Sequence, residues 1–117
     1  MSLSVISTKT GEHYKWGDNC DGWHFVKSKN LSVIHESMPP NSVEKRHFHK
    51  SAEQFFFVLS GIATIELDGE SFTVPAASGI HVSAGVKHQM QNNQKDDLVF
   101  LVVSTPPSHN DRFDTKK

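Results

Sequence analysis

Three histidines and a glutamine in this sequence carry the spacing of a metal site. In the segment RHFHKSAEQFFFVLSG, His47 and His49 stand two residues apart. On an extended strand their side chains share one face, while Phe48 between them points to the other. Gln54 opens the next apolar run and brings an amide oxygen; His88, in GVKHQMQNN, begins a later run and offers a third imidazole. Three imidazoles and one oxygen donor leave open positions on a five- or six-coordinate ion, as catalysis requires. Glu53 is a rival oxygen donor, and strand alternation prevents Glu53 and Gln54 from facing the same side.

Such a set needs short strands to hold it, and the chain supplies them. From Trp23 onward, brief apolar runs alternate with turn residues, the pattern of an all-β domain. Strands are predicted over residues 23–27, 31–38, 46–49, 53–59, 62–67, 71–74, 79–83, 88–92 and 98–104. The Asp68-Gly69 pair reads as a two-residue hairpin turn, which needs positive φ at both positions. Pro39-Pro40 and Pro106-Pro107 interrupt the ladders, because proline has no N–H to donate. No stretch shows helical periodicity, and about ten short strands imply a sandwich or barrel. At 117 residues a single domain is expected, with residues 1–22 as an N-terminal arm or first strand, 23–104 as the barrel and 105–117 as a polar tail. The run Phe55-Phe56-Phe57-Val58-Leu59 is apolar on both faces, so its outer face needs cover from a second copy or a further layer of the same chain. A homodimer is the expectation.

Composition narrows the partners. Twelve basic against thirteen acidic residues leave a net charge of −1, too little positive charge to grip a nucleic acid backbone. The longest apolar run, residues 98–103, is far too short for a membrane helix, and the N-terminus has no secretory pattern. A lone Cys20 rules out an intrachain disulfide and suits a reducing compartment, so a cytoplasmic protein is expected.

The histidine segments resemble the two motifs of the cupin superfamily of small jelly-roll β-barrels (the double-stranded β-helix), with the likeness running from about Trp23 to Ser104. The first motif is matched by His47, His49 and Gly61, with Asn41 where its first glycine belongs; the second by Gly85, His88 and Asn92, with Ser83 in place of proline. Counting back from Gly61 puts Gln54 in the position of the motif's glutamate. The resemblance implies one divalent transition metal (nickel, manganese, iron or zinc) on His47, His49, Gln54 and His88. With neutral ligands only, the ion keeps its full positive charge and is a better Lewis acid. Isomerase, lyase or hydrolytic chemistry is then expected ahead of dioxygenation. The same ligand set looks like that of small cupins that linearise unsaturated uronates, which also use an acidic residue and an arginine near the last strand. Here that strand, LVFLVVS, has no carboxylate, and Asp111-Arg112 lie beyond the double proline. The tail STPPSHNDRFD and the early CDGW look instead like a group of uncharacterised single-domain cupins.

Around the metal set, His35 and His81 are candidate general bases or substrate contacts, and Phe56 and Met90 are expected to point inward as pocket wall. His13, His24 and His109 read as solvated, Cys20 as inert, and Glu44 and Arg46 as rim charges. The expected function is a metal-dependent enzyme on a small polar metabolite, a sugar or organic acid. A ligand-binding or sensor module without turnover is the alternative, since no pocket carboxylate is evident. An acidic or basic side chain brought into the cavity would favour the enzyme.

Overall fold

A computed structural model describes residues 4–115. Eleven strands and no helix make up the described residues. One antiparallel sheet has the order β1 (Glu12–Trp16), β2 (Cys20–Lys27), β3 (Ser32–Met38), β10 (Leu98–Thr105), β5 (Glu53–Ser60), β8 (Gly79–Val82). The other has the order β11 (Arg112–Asp114), β4 (His47–His49), β9 (His88–Gln91), β6 (Ile62–Leu67), β7 (Glu70–Pro75). From β7 onward the chain changes sheet at each connection, as in a jelly roll.

Side-chain alternation explains the core. Met38, Phe56, Val58, Phe100 and Val102 from the six-stranded sheet meet Ala63, Ile65, Val74 and Met90 from the other, all of them buried. Burying each of the larger side chains stabilises the fold by about 1.5–3 kcal/mol relative to exposure. Along β5, Gln54, Phe56 and Val58 face this interior while Phe55 and Leu59 remain 40% and 43% exposed. Those outer side chains are only partly covered by the described chain.

Turn chemistry fixes the registers. Leu67 pairs with Glu70 across Asp68 and Gly69, whose φ values are 47° and 95°, the two-residue turn expected from the sequence. Gly61 turns the chain from β5 into the other sheet at φ 88°, and a Cβ there would come within 2.8 Å of the Asp97 carbonyl oxygen.

Each end of the chain adds an edge strand to the barrel. Residues 12–16 form a full edge strand, β1, hydrogen-bonded along β2 from Glu12↔His24 to Trp16↔Cys20. The segment read as a polar tail contains β11, which pairs with β4 in the register Arg112↔His49 and Asp114↔His47. Tyr14 and Trp16 of β1 and Arg112 of β11 line one cavity.

Candidate metal centre

Strand β4 sends His47 and His49 inward, both buried, and turns Phe48 outward against Phe113, with ring centroids 5.2 Å apart. His88 opens β9 directly opposite His47. The ring centroids lie 4.9 Å apart for His47 and His49, 4.3 Å for His47 and His88, and 5.6 Å for His49 and His88. One ring nitrogen from each histidine falls within 4.8 Å of the other two.

Hydrogen bonds settle which nitrogen that is. Each Nδ1 faces a backbone carbonyl oxygen: Lys45 at 2.8 Å for His47, Asp111 at 3.3 Å for His49, and Val86 at 2.9 Å for His88. A carbonyl only accepts, so each Nδ1 carries the proton and each Nε2 keeps its lone pair. Burial is the main force pushing the histidines toward neutrality, His47 down to about 3 and His88 to about 4, with His49 also lowered. Neutral imidazoles bind a metal without first losing a proton.

Two buried atoms give the test of fit. His88 Nε2 and Gln54 Oε1 have no hydrogen-bond partner. Gln54 Nε2 donates to Ser104 Oγ at 2.9 Å, which commits the amide nitrogen and leaves the oxygen unsatisfied. An unpaired buried polar atom costs about 1–3 kcal/mol, and a cation answers both atoms at once. The donor set His47, His49, His88 and Gln54 therefore fits a divalent transition metal. Glu53 is exposed on the opposite face of β5, where its carboxylate meets His81 Nε2 at 2.7 Å.

That pairing removes His81 from the cavity. His35 is also on the outer face, opposite Leu101 and between the rings of Trp23 and Phe25, at 5.5 and 5.4 Å. The register with β10 decides its direction: Phe100 and Val102 face inward, so their partners Glu36 and Ile34 do too. Phe56 lines the cavity as expected, whereas Met90, 1% exposed, packs in the core.

The cavity itself has a volume of about 360 Å³ and runs past His47, His49, Gln54 and Phe56 to Glu36, Glu44, Tyr14 and Arg112. Tyr14 Oη donates to Glu36 Oε2 at 3.0 Å, and burial pushes the Glu36 carboxyl up to about 7. Glu44 Oε2 accepts the Met90 N–H at 2.9 Å, yet burial pushes its carboxyl up to about 8. Gly22 makes room for this arrangement, since a Cβ there would strike the Tyr14 ring. Trp16, Ile34 and Val102 supply an apolar side. His24, read as solvated, is half-buried in the cavity wall and packs on Tyr14 with centroids 4.9 Å apart, whereas His109 borders the cavity but stays exposed. Arg46 is held away by a forked pair with Glu66 at 2.7 and 3.0 Å.

Sequence reasoning did not single out Tyr14 or Glu36, read Glu44 as a rim charge and set Arg112 apart from the last barrel strand; all four line the cavity. For Glu36 a signal existed, because Ile34 and Met38, two residues before and after it, mark the inner face of β3. For Tyr14 the alternation with Trp16 across Lys15 was a short signal, whereas the three-residue edge strand that carries Arg112 had no alternating apolar pattern.

Comparison with known proteins places this architecture. The family model described as "Cupin domain" matches residues 34–104. An uncharacterized protein of Streptomyces coelicolor is 31% identical over 83 residues, spanning 71% of this chain and 77% of that protein. Among solved structures, an uncharacterized protein with a double-stranded β-helix domain from Klebsiella pneumoniae superposes with a TM-score of 0.81 at 16% identity, covering 99% of this chain and 100% of the other. The polyketide cyclase RemF from Streptomyces resistomycificus gives 0.83 at 15% identity, covering 99% and 87%. At those identities the two structures speak for the fold alone. With the family match spanning most of the barrel and the paired histidine motifs within it, the chain belongs to the cupin family.

Proposed function

We propose that this protein is a metal-dependent enzyme that acts on a small polar metabolite, a sugar or organic acid, by isomerase or lyase chemistry. The observation that carries the reading is the sharing of one cavity by His47, His49 and Gln54 of the ligand set and two carboxyl groups with raised proton affinity. A divalent ion on His47, His49, His88 and Gln54 would supply Lewis acidity toward a carbonyl or hydroxyl. Glu36 and Glu44 hold or release protons near neutral pH, which suits general acid–base work. Tyr14 orients Glu36 through its hydroxyl. Arg112 uses Nε on Asp114 and one Nη2 proton on the Lys45 carbonyl, and among the described residues nothing accepts from Nη1. That unused edge fits a carboxylate or other oxyanion of the substrate. A pure binding module would have no need of proton-handling groups beside the metal ligands.

The test begins with elemental analysis of untagged protein purified without chelator. About one equivalent of transition metal per chain, lost in His88→Ala, is expected for this mononuclear site. A screen of sugars and organic acids with the metal-loaded protein follows. Glu36→Gln or Glu44→Gln should keep the metal and lower turnover by about 10²–10⁴-fold. Compounds that bind the metal-loaded protein unchanged would return the reading to a ligand-binding module.

A further inference from the structure

Among the three histidines, His49 is oriented differently from its neighbours. His47 and His88 each donate to the carbonyl two residues before them, so local backbone sets their rings. His49 donates to the carbonyl of Asp111, sixty-two residues away in sequence. Its aim depends on where the C-terminal segment docks.

Beyond Asp111 that segment is held by its short ladder with β4, the Phe113 ring stacked on Phe48, and Thr115 on the Arg46 carbonyl. β11 is three residues long and exposed at every position. The side chain of Asp111 supplies the anchor. Its carboxylate accepts three consecutive N–H groups from the turn between β4 and β5: Lys50 at 3.2 Å, and Ser51 and Ala52 both at 2.9 Å. Ala52 is only 2% exposed, so part of this clamp is shielded from water. One residue thus fastens the β4–β5 turn with its side chain and steers His49 with its backbone. The cavity wall of Ser108, His109, Asn110 and Arg112 hangs from the same point.

We propose that Asp111 is a positioning residue whose clamp couples docking of the C-terminal strand to metal binding at His49. The inference rests on the reading of His47, His49 and His88 as metal ligands. Linkage makes the coupling reciprocal: metal favours the docked strand to the degree that the docked strand favours metal. A short, exposed strand is the kind of element that opens locally without global unfolding, so the coupling has an element to act on.

Zinc affinity, measured by competition with a chromogenic chelator, and amide hydrogen exchange test it together. Asp111→Ala should weaken zinc binding by about tenfold or more, the usual cost of losing support behind a histidine ligand. Asp111→Asn keeps one carbonyl acceptor and should fall between Asp111→Ala and the parent. Asp114→Ala, which removes an exposed carboxylate paired with Arg112, should leave zinc affinity within about twofold. In the parent, zinc should slow exchange at Ser51, Ala52 and residues 112–115, and Asp111→Ala should abolish that protection. Unchanged zinc affinity in Asp111→Ala would overturn the coupling alone. A parent that takes up no zinc would overturn the metal reading and the coupling with it.

Discussion

Metal-free protein should lose stability as the pH rises from 6.5 to 8, and the two cavity glutamates should be the cause. A glutamate ionises at an ordinary value of 4.5, whereas folding holds Glu36 protonated up to about 7 and Glu44 up to about 8. Above 4.5 the unfolded chain has released protons that the folded chain still binds, so unfolding becomes easier with each step in pH until the folded values are passed. The histidines act in the opposite direction. Their ordinary value is 6.5, and folding lowers His47 to about 3 and His88 to about 4, so stability falls as the pH drops below 6.5. Between 4.5 and 6.5 the trends offset, and above 6.5 only the glutamates act. Their remaining windows span about two pH units together, and at about 1.4 kcal/mol per unit the loss is about 3 kcal/mol. That is a large share of the roughly 5–15 kcal/mol that stabilises a typical domain. Urea unfolding of chelator-treated protein at pH 5, 6.5 and 8 measures it. Glu36→Gln with Glu44→Gln should flatten the alkaline side to within about 1 kcal/mol, since an amide keeps an acceptor for Tyr14 and for the Met90 N–H but does not titrate. A bound dication should shrink the decline in the parent, because it favours the ionised carboxylates. A parent equally stable at pH 6.5 and 8, or a double variant with the same decline, would refute the reasoning.

The fourth metal ligand is decided by comparing Gln54→Ala with Glu53→Ala. The first should lower metal affinity by about tenfold or more and the second should leave it unchanged, as read by chelator competition. A drop confined to Glu53→Ala would reassign the ligand. The homodimer expected from the sequence is tested on the partly covered outer face of β5: the parent should sediment as a dimer and Phe55→Lys as a monomer. A parent that stays monomeric at high micromolar concentration would discard it.

What the sequence made legible was local. His47 and His49 alternate across Phe48, Gly61 takes a positive φ, and Asp68-Gly69 closes a hairpin; each follows from the residue and its immediate neighbours. What stayed hidden depended on distant register. β3 offers two plausible faces, Val33 with His35 or Ile34 with Glu36, and only pairing with β10 turns the glutamate inward. Ile34 and Met38 favoured the second face, but a carboxyl on an inner face runs against the rule that acids face water, and the two signals conflicted. In β2 an irregularity between His24 and Val26 shifts the alternation, which is how His24 comes to line the cavity. β11 carries no apolar rhythm because its role is to lie over the cavity rather than to fill the core.

The placement of the acids also explains why the charge of the site matters more than its ligand count. Glu53 stands one position from Gln54, but strand alternation sends it outward to His81 and sends the amide inward. Coordination by a carboxylate would have neutralised part of the metal's charge and locked that carboxylate out of proton transfer. In this barrel the inward acids are instead Glu36 on β3 and Glu44 ahead of β4, each anchored by a single donor and each raised in proton affinity by burial. Neither therefore needs to give up its proton chemistry to hold the ion. On the proposed reading, a dication held by neutral donors would keep its full charge in a cavity that also holds two free carboxyl groups, which suits polarising a substrate and moving its protons. Tight storage of a metal would be better served by moving one of those carboxylates into the ligand set.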